Sequence, residues 1–479
     1  MSADTVDRAD VQGNILQGYG QQRVRHLVLR VIDASLARRW IGATVGDDRS
    51  LAPAVTSFAP WSRKPATCFN IGITFAGLRA LRLPSATLDS FPPPFVLGMS
   101  ARSVKLGDLG DSAPDTWIEP FRDPERVHLI ATIHADAPAL LDEVQQHALS
   151  SWLGGAFELL GALDGGMFDG AMVHFGYRDN ISQPRFVGIH DPSLLADPQP
   201  LAPLGTVLLG HPTAFEGVTW RVPQPSALGA NGSFNAFRIL AQDTAGFEAF
   251  LDRAADVVLD DRRAEELLPA GAEAAIVPRG TRHDAMREVL AAKLCGRWRD
   301  GTPLELAPDS PSSPSPVSDT DFDYVDDGAG LRCPIGAHTR RCNPREAKIV
   351  QRIATGTRRI VRRGMPYGPA FDRDRPDEIE RGLLGNFICA DLAAQFESIQ
   401  YDWLNLGLQH PQLTGTNDPL LGANSGPDSR FDIPTATGTI TITGVPRFVR
   451  TRGGAYTFLP SLTALRYIGA LSDDAPDAV

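Results

Sequence analysis

The chain has 479 residues, 43% hydrophobic, 22% charged and 8% aromatic, which is enough apolar material for a sizeable core and, at about 150 residues per domain, for two to three domains. A mainly disordered chain is excluded. Forty-six basic against 57 acidic residues leave a net charge of −11 without any long Lys/Arg run, so nucleic acid and anionic membranes are poor partners and a small substrate is favoured. Five cysteines (Cys68, Cys295, Cys333, Cys342 and Cys389) form no C-x-x-C pair, which argues against a disulfide framework or zinc site and fits a reducing compartment. Residues 1–20 lack a basic stretch followed by an apolar one, and no apolar run reaches the roughly 18 residues of a membrane span, so a soluble, cytoplasmic protein is expected.

Alternating β-branched and aliphatic residues predict a strand over 24–31, followed by a helix over 35–44. Further strands are expected at 66–75 and 127–134, a helix at 138–149, and a closing strand at 167–175. Strand, helix, strand, strand, helix, strand is the order of a split β-α-β unit, with helices on one face of an antiparallel sheet. Prolines between 192 and 203 mark a junction, because proline removes ladder donors and breaks helices. Beyond it the order begins again, with strands at 205–209 and 234–240 and a helix at 245–255. The Pro/Ser-rich tract 307–319 reads as a long surface loop. Strands at 358–363, 383–390 and 437–443 and helices at 392–401 and 461–471 complete two α+β domains, divided as 1–200 and 201–479.

None of the ten histidines lies at helical metal-ligand spacing or in a Cys/His cluster, so a multi-ligand metal site is not favoured. One histidine stands in distinctive company, in Cys333-Pro334-Ile335-Gly336-Ala337-His338-Thr339-Arg340-Arg341-Cys342-Asn343-Pro344-Arg345. Upstream is the turn-rich Phe175-Gly176-Tyr177-Arg178-Asp179-Asn180-Ile181-Ser182-Gln183-Pro184. Downstream, Arg358-Arg359-Ile360-Val361-Arg362-Arg363-Gly364-Met365-Pro366-Tyr367-Gly368 runs from a strand into a Gly/Pro turn. Taken singly, these are an ordinary packed histidine, an Asx-type turn and a solvated basic strand end.

In this order the three segments resemble the dye-decolorising haem peroxidase family, and the resemblance runs almost end to end. It includes Asp10-Val11-Gln12-Gly13-Asn14, Asn231-Gly232-Ser233-Phe234, Gly296-Arg297-Trp298, Gln395-Phe396-Glu397, Asp418-Pro419-Leu420 and Gly453-Gly454-Ala455-Tyr456. It implies two ferredoxin-like domains with antiparallel sheets, of the dimeric α+β barrel class, with haem b in the C-terminal domain. It also implies His338 as the axial ligand of the haem iron, Arg345 as a cofactor-binding residue, and Asp179 and Arg362 as the catalytic pair on the opposite, distal face. Asp391 is one candidate partner for the second nitrogen of His338. The activity implied is reduction of hydrogen peroxide and oxidation of phenolic, dye-like or other small organic reductants through a ferryl intermediate. The resemblance allows a homo-oligomer, which no residue pattern specifies. Trp298, Trp403, Tyr324 and Tyr401 could relay electrons, although each reads first as a core or interface aromatic.

The chain departs from the family pattern at several positions. Asn180 replaces a glycine; it tolerates a left-handed turn, but its amide is expected to reach into the distal pocket. His174 stands where glutamate is common and reads as a hydrogen-bonded strand residue. Leu383 matches a distal apolar residue, Gly385 falls where a phenylalanine is usual, and Phe387, on the same side of the strand, could fill part of the space. Oxygen transfer in a reshaped pocket lined by Asn180 and Gly385 is therefore one alternative. A non-catalytic haem-handling protein is another, weakened by the presence of both Asp179 and Arg362.

Overall fold

The computed structural model describes residues 6–48, 50–150, 155–191, 200–215, 218–311, 319–345 and 358–472. In the first half, β1 (Arg23–Val31), β2 (Thr67–Ile73), β3 (Leu129–Ala135) and β4 (Phe157–Gly166) form an antiparallel sheet in the order β4-β1-β3-β2. Helix α1 (Ala34–Ala43) follows β1 and α2 (Pro138–Ser150) follows β3. In the second half, β5 (Ser233–Gln242), β6 (Val361–Tyr367), β7 (Gly382–Cys389) and β10 (Val449–Leu459) repeat that order as β10-β5-β7-β6, and β8 (Arg430–Thr435) and β9 (Gly438–Thr443) form a separate hairpin. Both halves are therefore ferredoxin-like, with each half's fourth strand beside its first and its third beside its second.

The halves join because β10 also pairs with β2 at Phe458 and Ile73, which makes one eight-stranded sheet. That sheet curls until its outer strands meet. A Cβ on Gly165 of β4 would lie 3.0 Å from the Pro366 carbonyl of β6, and His26 of β1 packs on Phe237 of β5 with ring centroids 4.9 Å apart. On the outer face, Trp40 of α1 meets Phe69 and Phe157 edge-on, and α1 crosses α6 (Leu462–Ala470) where Gly42 faces Gly469. A second core forms around Phe247 and Phe250 of α3 (Thr244–Leu259), Phe448 and the buried α4 (Arg282–Cys295).

Sequence and structure disagree where hydrophobic runs mislead. The closing strand of the first half is β4, whereas 167–175 carries a 3₁₀ turn at Asp169–Ala171 and then the loop that bears Asp179. β4 contains Gly161, Gly165 and Gly166, weak strand formers that antiparallel pairing with β1 holds extended. Residues 205–209 contribute only the turn Leu204–Thr206, and β10 carries no strand signal through Gly453 and Gly454, where pairing with β5 is irregular. The helix expected at 392–401 appears as two widened, π-type turns, Leu392–Glu397 and Ile399–Asn405. The junction and the Pro/Ser-rich loop lie partly outside the described residues.

Helix α4 begins with a reciprocal Thr281/Asp284 cap and ends at Gly296, whose φ of +91° is left-handed. A Cβ at Gly296 would fall 2.2 Å from Thr339 Oγ1, on the short helix α5 (His338–Cys342). Gly296→Ala is therefore expected to cost about 1–3 kcal/mol, through both the backbone and the collision, as read by urea unfolding.

Candidate active site

His338 opens α5 on the long connection between α3 and β6. Its Nδ1 lies 3.1 Å from both carboxylate oxygens of Asp418, a residue with no exposed side-chain surface. Oδ1 of Asp418 also accepts from the backbone N–H groups of Leu420 (2.9 Å) and Leu421 (2.8 Å). Burial alone would raise the Asp418 pKa; the His338 imidazolium, its hydrogen bond and Arg341 outweigh burial and hold it below the usual carboxylate range. With Nδ1 engaged by Asp418, Nε2 of His338 meets the Cys342 sulfur at 3.9 Å among the described residues, a sulfur that also lies 4.0 Å from Nδ1. Asp391 does not serve His338: its carboxylate accepts from the Ala394 N–H at 2.7 Å and caps the turn that follows β7.

Asp179 sits on a tight loop. The loop closes through Val173 N–H to Tyr177 O (2.9 Å), Gly176 N–H to Val173 O (2.8 Å) and Asp179 N–H to Ala171 O (2.9 Å). Although this loop leaves the first half, its apolar residues dock on the second core: Phe175 packs 4.8 Å from Phe247, and the Tyr177 hydroxyl donates to Ala291 O at 2.7 Å. Arg299 braces it from below, donating to Phe175 O and pairing with Glu248 and Glu288, both at 3.0 Å. Arg362 projects from β6 opposite Phe387 of β7, and its guanidinium is 3.8 Å from Asp179. Each side chain of that pair is 43% exposed, so their attraction is screened and neither is locked by it.

His338, Asp179, Arg362, Arg345, Leu383, Gly385 and Phe387 all line one cavity of about 340 Å³, within the range of ligand pockets. Leu383, Gly385 and Phe387 alternate along β7 and so share its cavity face. A Cβ built on Gly385 would stand only 2.7 Å from Phe387 Cε2, so the Phe387 ring leans over the glycine and occupies the space beside it. Arg345, at φ +44°, donates to Thr320 O (2.8 Å) and Phe322 O (3.0 Å) and stacks on the Phe322 ring.

Asn180 is the sequence-predicted residue that the structure does not bring into the cavity. It adopts the expected left-handed conformation (φ +61°), but this turns it to the surface, outside the cavity lining. His174 also lies outside; its Nε2 is 2.8 Å from Tyr367 O, which ties the Asp179 loop to the end of β6. Trp298, Trp403 and Tyr324 are buried, whereas Tyr401 is exposed beside Lys105. Sequence reasoning passed over Asp418 and Gln183, although both fall in segments it had singled out. Only proximity across the fold reveals their partners.

Among the described residues, the cavity is lined by eight arginines (Arg178, Arg238, Arg297, Arg345, Arg358, Arg359, Arg362 and Arg447) against two aspartates, Asp108 and Asp179. Between them stand apolar walls that include Phe175, Leu240, Trp298, Phe322 and Phe396. A chain of net charge −11 thus keeps a cationic, partly greasy pocket, suited to a flat apolar group that carries anionic substituents.

No family model matches the chain. It is 29% identical over 494 residues to a multifunctional dye peroxidase of an Amycolatopsis species, spanning 95% of each protein. It is 27% identical over 495 residues to a dye-decolorizing peroxidase of Exidia glandulosa, covering 97% of this chain and 87% of that one. Among solved structures, a dye-decolorizing peroxidase in complex with 2,6-dimethoxyphenol superposes with a TM-score of 0.78 at 27% identity, over 97% of this chain and 100% of that one.

The leaning ring makes residue 385 testable. Gly385→Phe should cost about 1–3 kcal/mol in urea unfolding because the Phe387 ring already fills the site, and combining it with Phe387→Ala should recover most of the loss.

Proposed function

We propose that the chain is a haem-dependent peroxidase of the dye-decolorising family, which reduces hydrogen peroxide between Asp179 and Arg362 and oxidises phenolic or dye-like reductants; its likeness to dye-decolorizing peroxidases over nearly its whole length supports this. One arrangement carries this reading: a histidine clamped by a buried carboxylate lines the same arginine-rich cavity as an aspartate and arginine 3.8 Å apart. The residues fit a haem. Its two carboxylates suit the arginines, its ring suits the apolar walls, and the one imidazole nitrogen not held by Asp418 suits an iron. Haem b, held without covalent bonds, is the form proposed, since no C-x-x-C-H attachment sequence precedes His338.

When bound, the haem supplies the redox centre at which peroxide gives up its oxidising equivalents. His338 would hold the iron through Nε2, while Asp418 keeps the proton on Nδ1, fixes the ring plane and makes the ligand more basic. Asp179 would take a proton from the nearer peroxide oxygen and return it to the farther one, which leaves as water. Arg362 would stabilise the negative charge that builds up as that bond breaks, and a guanidinium cannot lose this ability by deprotonating. The reductant proposed is a phenol, the ligand class named for the superposed relative.

The oxygen-transfer alternative draws on Gly385, and the Phe387 ring takes up part of the space beside that glycine. Retention of both Asp179 and Arg362 speaks for turnover rather than cofactor handling. We further propose residues 1–200 and 201–479 as the two domains, each with a full four-strand set. For location we propose the cytoplasm, supported by five free cysteines; among the described residues no helix is long and apolar enough to cross a membrane.

Rapid mixing of the haem-loaded protein with hydrogen peroxide tests the reading. Asp179→Asn and Arg362→Leu should each slow the first spectral change by about 10²- to 10⁴-fold, and His338→Ala should lose the native Soret band. Asp418→Asn should weaken haem retention by about 10- to 100-fold. Native rates in the Asp179 and Arg362 variants would overturn the assignment.

A further inference from the structure

Gln183 has no part in the chemistry above, yet it holds the arginine that does. Arg362 lies on β6, the last strand in the sheet order, paired through β7 on one side only. An edge strand leaves backbone donors and acceptors facing outward, where water or a side chain can pair with them. At Arg362 the partner is a side-chain amide. The Arg362 N–H donates to Gln183 Oε1 at 3.1 Å, and Gln183 Nε2 donates to the Arg362 carbonyl at 2.9 Å. The carboxamide thus stands in for the peptide group of a missing neighbouring strand at this one residue. The preceding residue grips the other end of the arginine, since Nη2 of Arg362 donates to Ser182 O at 3.3 Å. Arg363 adds a longer bond, 3.5 Å, to the same Arg362 carbonyl.

Residues 182 and 183 continue directly from the turn that carries Asp179. One short segment therefore holds the carboxylate and, through three hydrogen bonds, the main chain and guanidinium of its partner. The direct contact between Asp179 and Arg362 is too long and exposed to do this itself. We infer that Gln183 is a positioning residue, a clasp that sets the Asp179 loop in register against Arg362. The inference rests on the roles proposed for Asp179 and Arg362. Glutamine is suited to the task because one planar group both accepts and donates. Leucine has similar bulk and does neither. Glutamate accepts in both protonation states but donates only when protonated; among the described residues, Arg362, Arg363 and Asp179 are charged groups close by.

The test compares haem-loaded Gln183→Leu and Gln183→Glu with the native protein at each pH. Gln183→Leu should lower the bimolecular rate constant with peroxide by about 10- to 100-fold at every pH, with cyanide association falling in parallel and the reductant step unchanged. Gln183→Glu should match the leucine variant near neutral pH and recover toward native at acidic pH, with a midpoint at or below the ordinary glutamate value because Arg362 and Arg363 favour the charged form. Hydrogen exchange without haem should show the Arg362 amide losing protection in Gln183→Leu. Peroxide rates within about twofold of native in both variants, or no recovery of Gln183→Glu at low pH, would overturn the clasp. If the leucine variant fails to fold or load, the pH response of Gln183→Glu decides. Arg362→Leu separates the two ideas: a native rate there defeats the proposed function, whereas a slow Arg362→Leu beside native-rate Gln183 variants defeats only the clasp.

Discussion

The Asp418 carboxylate is fully removed from water, and the second half of the molecule is arranged around satisfying it. An unpaired buried carboxylate is far too costly to keep, so its oxygens must meet donors. The donors are His338 Nδ1 and the Leu420 and Leu421 amides, while Asn424 closes the turn by donating to the Asp418 carbonyl. Arg341, three residues after His338, is buried beside it and donates to Gly336 O, Trp403 O and Thr416 O. Helix α5, the π-type turns and the 416–424 loop are thereby tied into one unit. The consequence is chemical as well as structural: His338 can present only one nitrogen to the cavity.

Facing it is a second arrangement whose logic is placement rather than burial. The Asp179 loop belongs to the first half by sequence but is anchored in the second core by Phe175 and Tyr177, with Arg299 beneath. Its partner Arg362 comes from an edge strand of the second half. Joining two weakly interacting, half-exposed groups from distant parts of the chain calls for fixed neighbours, and the loop's backbone bonds, His174 and Gln183 supply them. Arginines concentrated around the cavity, several of them paired with aspartates, give it a local charge opposite in sign to that of the whole chain, which favours an anionic occupant.

Much of this was legible in advance. Apolar, β-branched-rich runs located β1, β2, β3, β5 and β7 to within a few residues, because most residues of each strand are buried, those of β5 on both faces. The pattern misled where pairing overrode propensity. The glycines of β4 and β10 hide two true strands, and the apolar stretch 167–175 proved to be a loop whose hydrophobic residues serve a different core. His338, Asp179 and Arg362 were singled out by motif, and all three line the cavity. Asp418 carries no such signal, because a carboxylate 80 residues from its histidine shows no spacing pattern along the chain.

What the sequence determined by itself, then, was chemistry and local form. Residue types in a specific order carried the resemblance to a family, and runs of apolar residues marked most of the elements. The tertiary structure alone decided which groups meet: that Asp418 rather than Asp391 holds His338, that Phe387 leans into the gap at Gly385 while Asn180 turns outward, and that Gln183 completes an edge strand at Arg362. The division has a physical cause. Propensity and patterning act over a few residues along the chain, whereas the pairing of buried charges, the leaning of a ring and the filling of a vacant ladder position depend on long-range packing, which brings together residues that local sequence rules do not connect.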